Sequence, residues 1–160
     1  MKKVSGIILV TLLSTISFFS CKTEETANPA FDLAKAKTEI EAANQVTMDG
    51  FAKGDSVGIA NTYLEDAKLM FTGMPAIVGR AGIQSVYSGF IKSGVSKIDI
   101  KTNQVWGSED ILAEDGSITI YVKDQVVGQE KFIVLWKKVD GKWKIMRDIA
   151  NSDLAAQPSN

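Results

Sequence analysis

The stretch KFIVLWKKVDGKWKIMRDI, residues 131–149, predicts two long antiparallel strands joined by a tight turn. Asp140-Gly141 can supply the positive φ values that a two-residue primed turn needs, and apolar residues flank the pair on both sides. Such a turn places Val139 opposite Lys142. The predicted ladder continues with Trp136 opposite Ile145, Val134 opposite Arg147 and Phe132 opposite Ile149.

Both faces of this strand pair carry apolar side chains. The first predicted face holds Phe132, Val134, Trp136, Ile145, Arg147 and Ile149. The second holds Ile133, Leu135 and Met146, together with Lys137, Lys144 and Asp148. A strand pair that is apolar on both faces is usually covered twice. We therefore expect helices against the first face and a second subunit against Ile133, Leu135 and Met146, which predicts a homodimer.

The segments before this stretch complete a helix-then-sheet order. Residues 98–106 and 118–122 alternate with period two, and Asp115-Gly116 is predicted to be a turn before the second run. Residues 31–53 carry apolar side chains three or four apart, which predicts a helix that Gly54 ends, and Asp55 can cap a second helix running to about residue 65. A short strand at 68–71, a hairpin partner at 77–78 and a third helix ending near Gly94 follow. This order indicates an α+β domain.

The first residues predict export. Lys2 and Lys3 precede an apolar run that ends in Phe18-Phe19-Ser20-Cys21, which is too short for a membrane span and typical of a signal peptide. The four residues at 18–21 resemble the lipobox of bacterial lipoproteins. This resemblance implies a signal peptide at 1–20, a lipid on Cys21 and a tether at 21–30. The domain then spans 31–153 and a tail 154–160. The predicted location is the periplasmic or cell-surface side of a membrane, held there through Cys21.

Composition excludes several classes of function. The 160 residues include no histidine, so the commonest general base and zinc ligand are missing, and Cys21 is the single cysteine. Without residues 1–20 the chain would carry 16 basic and 19 acidic side chains, which does not favour nucleic acid. The sequence holds no phosphate-binding glycine loop and no cluster of metal ligands, so we expect neither a metal nor another cofactor.

Several segments, in this order, resemble one known family. They are GDS at 54–56, YLEDAKLM at 63–70, VGRAGI at 78–83, IVLWKK at 133–138, DGKWKI at 140–145 and RDI at 147–149. Together they are similar to the SnoaL-like family called domain of unknown function 4440, within the nuclear-transport-factor-2-like, or ketosteroid isomerase-like, superfamily. The resemblance implies a cone, in which a strongly bent sheet wraps the helices around an apolar pocket. It implies no single function, because the superfamily includes isomerases, dehydratases, cyclases and associative domains.

The resemblance leaves the catalytic residues unknown. Ketosteroid isomerases carry an acid on the first strand, whereas residues 69–72 here are LMFT, without an acid. Asp148 is the nearest match to the late-strand aspartate of the cyclases, and the alternative is that it pairs with a lysine. Arg147, placed by alternation among apolar side chains, either pairs with an acid such as Asp66 or binds an anionic ligand.

The other pocket candidates are Met70 and the aromatic residues Tyr63, Trp106 and Tyr121, with Tyr87 beside them, and the alternative for each aromatic is ordinary core packing. The leading hypothesis is a lipid-anchored domain that binds a small apolar or carboxylate-bearing molecule. An isomerase, cyclase or hydrolase is the first alternative, and it requires a pocket acid with a raised pKa that the sequence does not reveal. A dimeric association module is the second.

Overall fold

The structure, a computed structural model, describes residues 31–154. The signal peptide, Cys21, the tether and residues 155–160 lie outside the described residues. The elements are α1 (Leu33–Lys53), α2 (Ser56–Ala60), β1 (Tyr63–Phe71), β2 (Ile77–Val78), α3 (Arg80–Lys92), β3 (Val95–Gly107), β4 (Ile111–Val122), β5 (Gln125–Val139) and β6 (Lys142–Ser152). The predicted α+β class is confirmed. No helix in this part of the chain is long and apolar enough to cross a membrane.

The predicted end of the first helix at Gly54 and the predicted cap of the second at Asp55 are confirmed. Asp32 caps α1 by accepting a hydrogen bond from the backbone N–H of Lys35 at 3.0 Å, and Gly54 ends the helix in the left-handed conformation with φ 70°. Asp55 caps α2 by accepting from the N–H of Gly58 at 2.8 Å. These caps satisfy backbone groups that a helix end leaves without partners.

The predicted extent of the second helix is wrong. The helix ends at Ala60, and Tyr63 and Leu64 lie in β1. The reason is pairing with β6: the Ile145 N–H donates to the Thr62 carbonyl at 2.9 Å, and Tyr63 is aligned with Ile145 in a parallel ladder. This tertiary pairing overrides the local helical spacing.

The six strands form one sheet in the order β2-β1-β6-β5-β4-β3, in which all pairs are antiparallel except β1 with β6. The Asp140-Gly141 turn is confirmed, with both residues at positive φ and Val139 opposite Lys142. The Asp115-Gly116 turn is wrong, because both residues lie inside β4. Gly116 is needed there for another reason: a Cβ atom would collide with the Phe132 ring and the Lys101 carbonyl oxygen.

Bulges decide which side chains face inward. In β6, Ile145 pairs with Trp136 and Arg147 pairs with Leu135, so Met146 is an extra residue. An extra residue shifts every later side chain of the strand to the other face. The predicted pairing of Val134 with Arg147 is therefore wrong, since Val134 pairs with Asp148. Similar irregularities occur in β3 after Thr102 and between β4 and β5 after Ile120.

The inner face of the bent sheet packs against α1 and α3. Its rows of paired residues include Leu112, Trp136, Ile145 and Tyr63, and beside them Glu114, Val134, Asp148 and Leu69. Ile40, Ile59 and Ile83 from the helices are fully buried against this face. The outer face retains exposed apolar side chains, with Ile133 50% and Ile149 42% exposed.

Candidate functional site

A cavity of about 220 Å³ lies between the helices and the inner face of the sheet. Its wall is mostly apolar. The aromatic members are Phe51, Tyr63, Phe71, Tyr87, Phe90 and Phe132, and the aliphatic ones include Leu69, Val95, Ile98, Ile100, Ile118, Ile120, Val134, Ile145 and Ala150. The polar members are Asn44, Thr47, Glu130 and Asp148. A concave apolar wall with a few polar groups is the usual form of a small-molecule site.

Asp148 is the most buried acid of the wall, with 8% of its surface exposed. Its Oδ2 accepts a hydrogen bond from the Tyr63 hydroxyl at 2.6 Å, and that hydroxyl lies 2.5 Å from the hydroxyl of Tyr87. The three side chains come from β6, β1 and α3. Within residues 31–154, no protein group donates to Asp148 Oδ1, and this oxygen is not sealed away from the cavity. One oxygen of the carboxyl group is thus held in place while the other is free to meet a ligand.

The position of Tyr63 is fixed by α3. The Nε and Nη2 atoms of Arg80, the first residue of α3, donate to the Tyr63 carbonyl oxygen at 3.1 and 2.8 Å. The Gly79 N–H donates to the Ala67 carbonyl at 2.8 Å, which ties the start of the same helix to β1. These hydrogen bonds hold the β1 backbone at Tyr63 and at Ala67, and so fix where the Tyr63 ring enters the cavity.

Burial controls the protonation of this group. Loss of water around the carboxylate raises the pKa of Asp148 to about 6, the Tyr63 hydrogen bond opposes the rise, and the nearby carboxyl groups of Glu114 and Glu130 add to it. Burial and the charge of Asp148 also hold the pKa values of Tyr63 and Tyr87 well above that of free tyrosine. At neutral pH both hydroxyls keep their protons, and Asp148 is close enough to its pKa to gain or lose one.

A second buried acid, Glu114, was missed by the sequence analysis. It is fully buried behind the cavity wall, and it accepts hydrogen bonds from Asn44 Nδ2 at 2.7 Å, Thr102 Oγ1 at 2.6 Å and Trp136 Nε1 at 2.9 Å. Burial raises its pKa, and the three donors oppose the rise. Both oxygens of Glu114 have protein partners, so this group ties α1 to the sheet and leaves nothing for a ligand.

The structure brings only part of the predicted site together. Tyr63 and Asp148 lie in the cavity wall, and Asp148 forms no ion pair with a lysine of residues 31–154. Met70, Trp106, Tyr121 and Arg147 are not among the lining residues. Trp106 is turned outward beyond the bulge in β3, Met70 is aligned with exposed Ile149, and Tyr121 has the Lys97 ammonium 4.5 Å above its ring. Tyr87, predicted beside them, does line the cavity.

Arg147 lies on the face opposite to Asp148, so the expectation that it is inside the cone is wrong. It is aligned with Leu135 and Lys68, and its Nη1 atom donates to the carbonyl of its neighbour Met146 at 2.6 Å. No lysine or arginine of the described chain lines the cavity. The pocket acid with a raised pKa, which the sequence did not reveal, is present in Asp148. In residues 31–154 no group of three or more acidic side chains is arranged to hold a metal ion.

Several solved structures are similar to this chain in fold. A protein from Novosphingobium aromaticivorans, described as nuclear-transport-factor-2-like with a cystatin-like fold, is 13% identical and superposes with a TM-score of 0.68 over 78% of this chain and 86% of its own. The chain has the nuclear-transport-factor-2-like fold. A ketosteroid isomerase-like protein from Erwinia carotovora atroseptica is 23% identical, with a TM-score of 0.61 over 74% of this chain and 96% of its own.

A third similar structure is a putative calcium/calmodulin dependent protein kinase II association domain from Xanthomonas campestris. It is 22% identical, with a TM-score of 0.64 over 79% of this chain and 91% of its own. No protein-family model and no curated protein matches the sequence. The predicted superfamily fold is confirmed, and membership of the SnoaL-like family stays a prediction.

Proposed function

We propose that the domain binds a small, largely apolar molecule in the cavity, with one polar group of the molecule against Asp148. The observation that carries this proposal is an apolar wall interrupted by a buried carboxyl group with one free oxygen. If the side chains of the domain filled its interior, no such cavity would exist. The free oxygen would be costly to bury without a partner, and a ligand can supply that partner.

The size of the cavity limits the ligand. An apolar cavity of about 150 Å³ is large enough to bind benzene. The cavity here, at about 220 Å³, is larger by roughly half. We therefore expect a ligand with one or two rings, or an aliphatic chain of similar volume.

Ligand binding can be tested by substituting a large side chain for a cavity-lining residue of β4. Ile118 lies in the wall on β4, and Thr119 is the next residue, on the opposite face. We expect 2-naphthol, a neutral fluorescent two-ring molecule, to bind the wild type with a change in emission. Ile118→Trp should abolish this change, whereas the matched control Thr119→Trp should preserve it. Equal binding to both variants, or no binding to the wild type, would contradict the proposal.

Proton transfer is a second candidate, favoured by the raised pKa of Asp148 beside two hydroxyl donors. Asp148 Oδ1 could remove a proton next to a carbonyl, while the Tyr87 hydroxyl turns away from Tyr63 and donates its hydrogen bond to the developing oxyanion instead. Deuterium exchange into the carbon acid of a small cyclic ketone, followed by NMR in heavy water, tests this. Enzyme-dependent exchange that Asp148→Asn abolishes would support catalysis, and exchange equal to buffer would exclude it for that ketone.

Self-association through the outer sheet face is a further proposal. Ile133 and Ile149 are aligned across β5 and β6 and exposed, and the partly buried side chains of Leu135 and Met146 are nearby along the same strands. Contiguous exposed apolar side chains on a sheet are typical of an interface. Ile133→Lys should give a monomer in sedimentation, while Val57→Lys, at an equally exposed site on α2, should leave a dimer intact. A wild-type monomer at high concentration would refute this proposal.

The membrane anchor remains a proposal based on residues 1–21 alone. We expect wild-type protein to partition with membranes and carry lipid on Cys21. Cys21→Ser should release it and change the mature mass. Unchanged partitioning and mass would show that Cys21 carries no anchor.

A further inference from the structure

Among residues 31–154, the wall of the cavity contains acidic groups and no basic ones. Asp148 and Glu130 line the cavity, and Glu114 lies behind Asn44. None of these three carboxyl groups takes part in an ion pair within residues 31–154; the lysines and arginines that form ion pairs do so with other acids. An apolar interior that holds ionised carboxyl groups without cations favours the entry of positive charge.

Only one of the three acids is placed to contact a ligand deep in the cavity. Glu114 uses both oxygens on protein donors. Glu130 is half-buried and lies four residues along β5 from Val134, the partner of Asp148, which puts the two acids roughly 13 Å apart along the strand direction. A ligand nitrogen that contacts Asp148 therefore lies far from the Glu130 backbone. Asp148, with Oδ1 free, is therefore the contact.

The wall around Asp148 is aromatic. The Phe51 and Tyr87 rings meet edge to face with centroids 5.7 Å apart, and the Tyr87 and Phe90 rings meet similarly at 6.3 Å. Tyr63 adds a further ring, 6.0 Å from Tyr87. Aromatic faces attract cations, and a carboxylate beside several rings is a combination that recognises organic ammonium groups.

We propose that the ligand of this cavity is a protonated organic amine with an apolar body, whose N–H donates to Asp148 Oδ1. This inference rests on the proposed binding function and adds the charge of the ligand. A carboxylate would meet two acids and no cation. A neutral alcohol can donate to Oδ1, but a charge-assisted hydrogen bond is roughly twice as strong as a neutral one.

The binding should depend on pH through Asp148. The titratable groups that face it are Tyr63 from β1, Tyr87 from α3, Glu114 from β4 and Glu130 from β5, and α1 contributes only uncharged Asn44 and Thr47. Both tyrosines keep their protons throughout. With the pKa of Asp148 at about 6, about a tenth of the empty sites are ionised at about pH 5, so amine affinity should fall roughly tenfold between about pH 7.5 and about pH 5.

Calorimetric titration with three probes of one shape tests the inference: benzylamine, benzyl alcohol and benzoate. At about pH 7.5 we expect benzylamine to bind at least about tenfold more tightly than benzyl alcohol, and benzoate to be weakest. Asp148→Asn should remove the advantage of the amine but leave benzyl alcohol binding within a few fold. Glu130→Gln should have a smaller effect, and Glu109→Gln, in the exposed loop after β3, none.

The outcomes separate this inference from the binding function. If benzyl alcohol binds as well as or better than benzylamine, or if benzoate binds best, the cavity is occupied by a small molecule but the inferred charge is wrong. If the amine advantage persists in Asp148→Asn or does not fall at about pH 5, Asp148 is not the partner. If none of the three probes binds, and 2-naphthol does not either, the binding function itself fails.

Discussion

Glu114 and Asp148 are two buried acids in one row of the sheet, and they have different surroundings. Glu114 pairs with Val134 across β4 and β5, and Val134 pairs with Asp148 across β5 and β6, so the two acids are roughly 10 Å apart, two strand spacings. Glu114 accepts from three side chains and is fully buried. Asp148 accepts from one hydroxyl and keeps an oxygen free. The contrast shows that burial alone does not indicate function.

The difference lies in what the neighbouring elements supply. α1 places Asn44 against Glu114, and β3 and β5 add Thr102 and Trp136. Around Asp148, α3 and β1 supply only the linked hydroxyls of Tyr87 and Tyr63, and most of the cavity wall is apolar. A fully satisfied acid rigidifies a core, whereas a partly satisfied one beside a cavity is suited to a ligand or a proton.

The largest expected effect is the loss of stability on Glu114→Ala. Three buried donors lose their acceptor, and each unpaired donor costs about 1 to 3 kcal/mol, so we expect the free energy of unfolding to fall by about 3 to 5 kcal/mol. Glu114→Gln keeps one acceptor oxygen and should cost less. Urea unfolding of the three proteins measures this. An Ala variant as stable as wild type would mean that Glu114 is not a structural acid.

The next effect, opposite in sign, is expected for Asp148→Asn. The pKa of Asp148 is about 6 in the folded protein against about 3.9 in an unfolded chain, so the folded state holds the proton more tightly. The contribution of Asp148 to stability is therefore full below about pH 4 and lost as the pH rises through about 6. The asparagine side chain of the variant has no proton to lose in this way. We expect the variant to be more stable than wild type by about 2 kcal/mol at neutral pH and equal to it near pH 4.

The measurement is urea unfolding of both proteins at several pH values from about 3.5 to about 7.5. Other acids titrate in both proteins and cancel in the difference. A difference that does not change with pH would mean that Asp148 is solvated, and a difference that changes in the opposite direction would mean that it is paired with a cation. In either case the contrast with Glu114 would disappear.

A smaller effect should distinguish the two tyrosines. The Tyr63 hydroxyl is hydrogen-bonded to both Asp148 and Tyr87, whereas the Tyr87 hydroxyl has Tyr63 as its one hydrogen-bond partner within residues 31–154. Tyr63→Phe should lower the free energy of unfolding by about 1 to 2 kcal/mol and raise the pKa of Asp148 further, because the hydrogen bond that opposes the rise is lost. Tyr87→Phe should cost less and move that pKa less. Carboxyl-carbon NMR titration of Asp148 in both variants gives the order, and the reverse order would contradict the hydrogen-bond chain.

Much of the fold follows from local sequence signals. Asp140-Gly141 can form a primed turn by itself, and Asp32, Gly54 and Asp55 act within one helical turn of their own positions. These signals set the order of helices and strands. They do not set the face of a side chain several residues away, because that depends on the partner strand.

The site was harder to predict because bulges bend the sheet. Strict alternation puts Arg147 inside and Asp148 outside, and the extra residue Met146 reverses both. The bulge in β3 turns Trp106 outward in the same way. Nothing in the local sequence marks these positions. The pocket thus contains the acid Asp148, where the sequence predicted the cation Arg147.

Glu114 was missed for a different reason, although a signal exists. In β4 the buried positions Leu112, Glu114 and Gly116 alternate, so Glu114 is in the inward phase. Because a turn was predicted at Asp115-Gly116, the strand was expected to begin after it. The alternation that points Glu114 inward was therefore not recognised. A glycine selected for close packing under Phe132 looks the same in sequence as a glycine selected for a turn.

The smallest expected effect, that of Arg147→Ala, tests whether the contrast between the two acids is real. If the guanidinium reached Asp148, the carboxyl group would be half of a buried ion pair, and its pKa would be lowered, not raised. The structure instead puts Arg147 on the outer face beside Lys68 and Leu135, where it bonds to the Met146 carbonyl. We expect Arg147→Ala to change the free energy of unfolding by no more than about 0.5 kcal/mol, as is usual for surface substitutions, and to leave the titration of Asp148 unchanged. Unfolding should be measured at low protein concentration, because the outer face is also the proposed dimer interface. A loss of about 3 kcal/mol or more, together with a higher pKa for Asp148, would show that the two side chains share a face, and β6 would then run without its bulge.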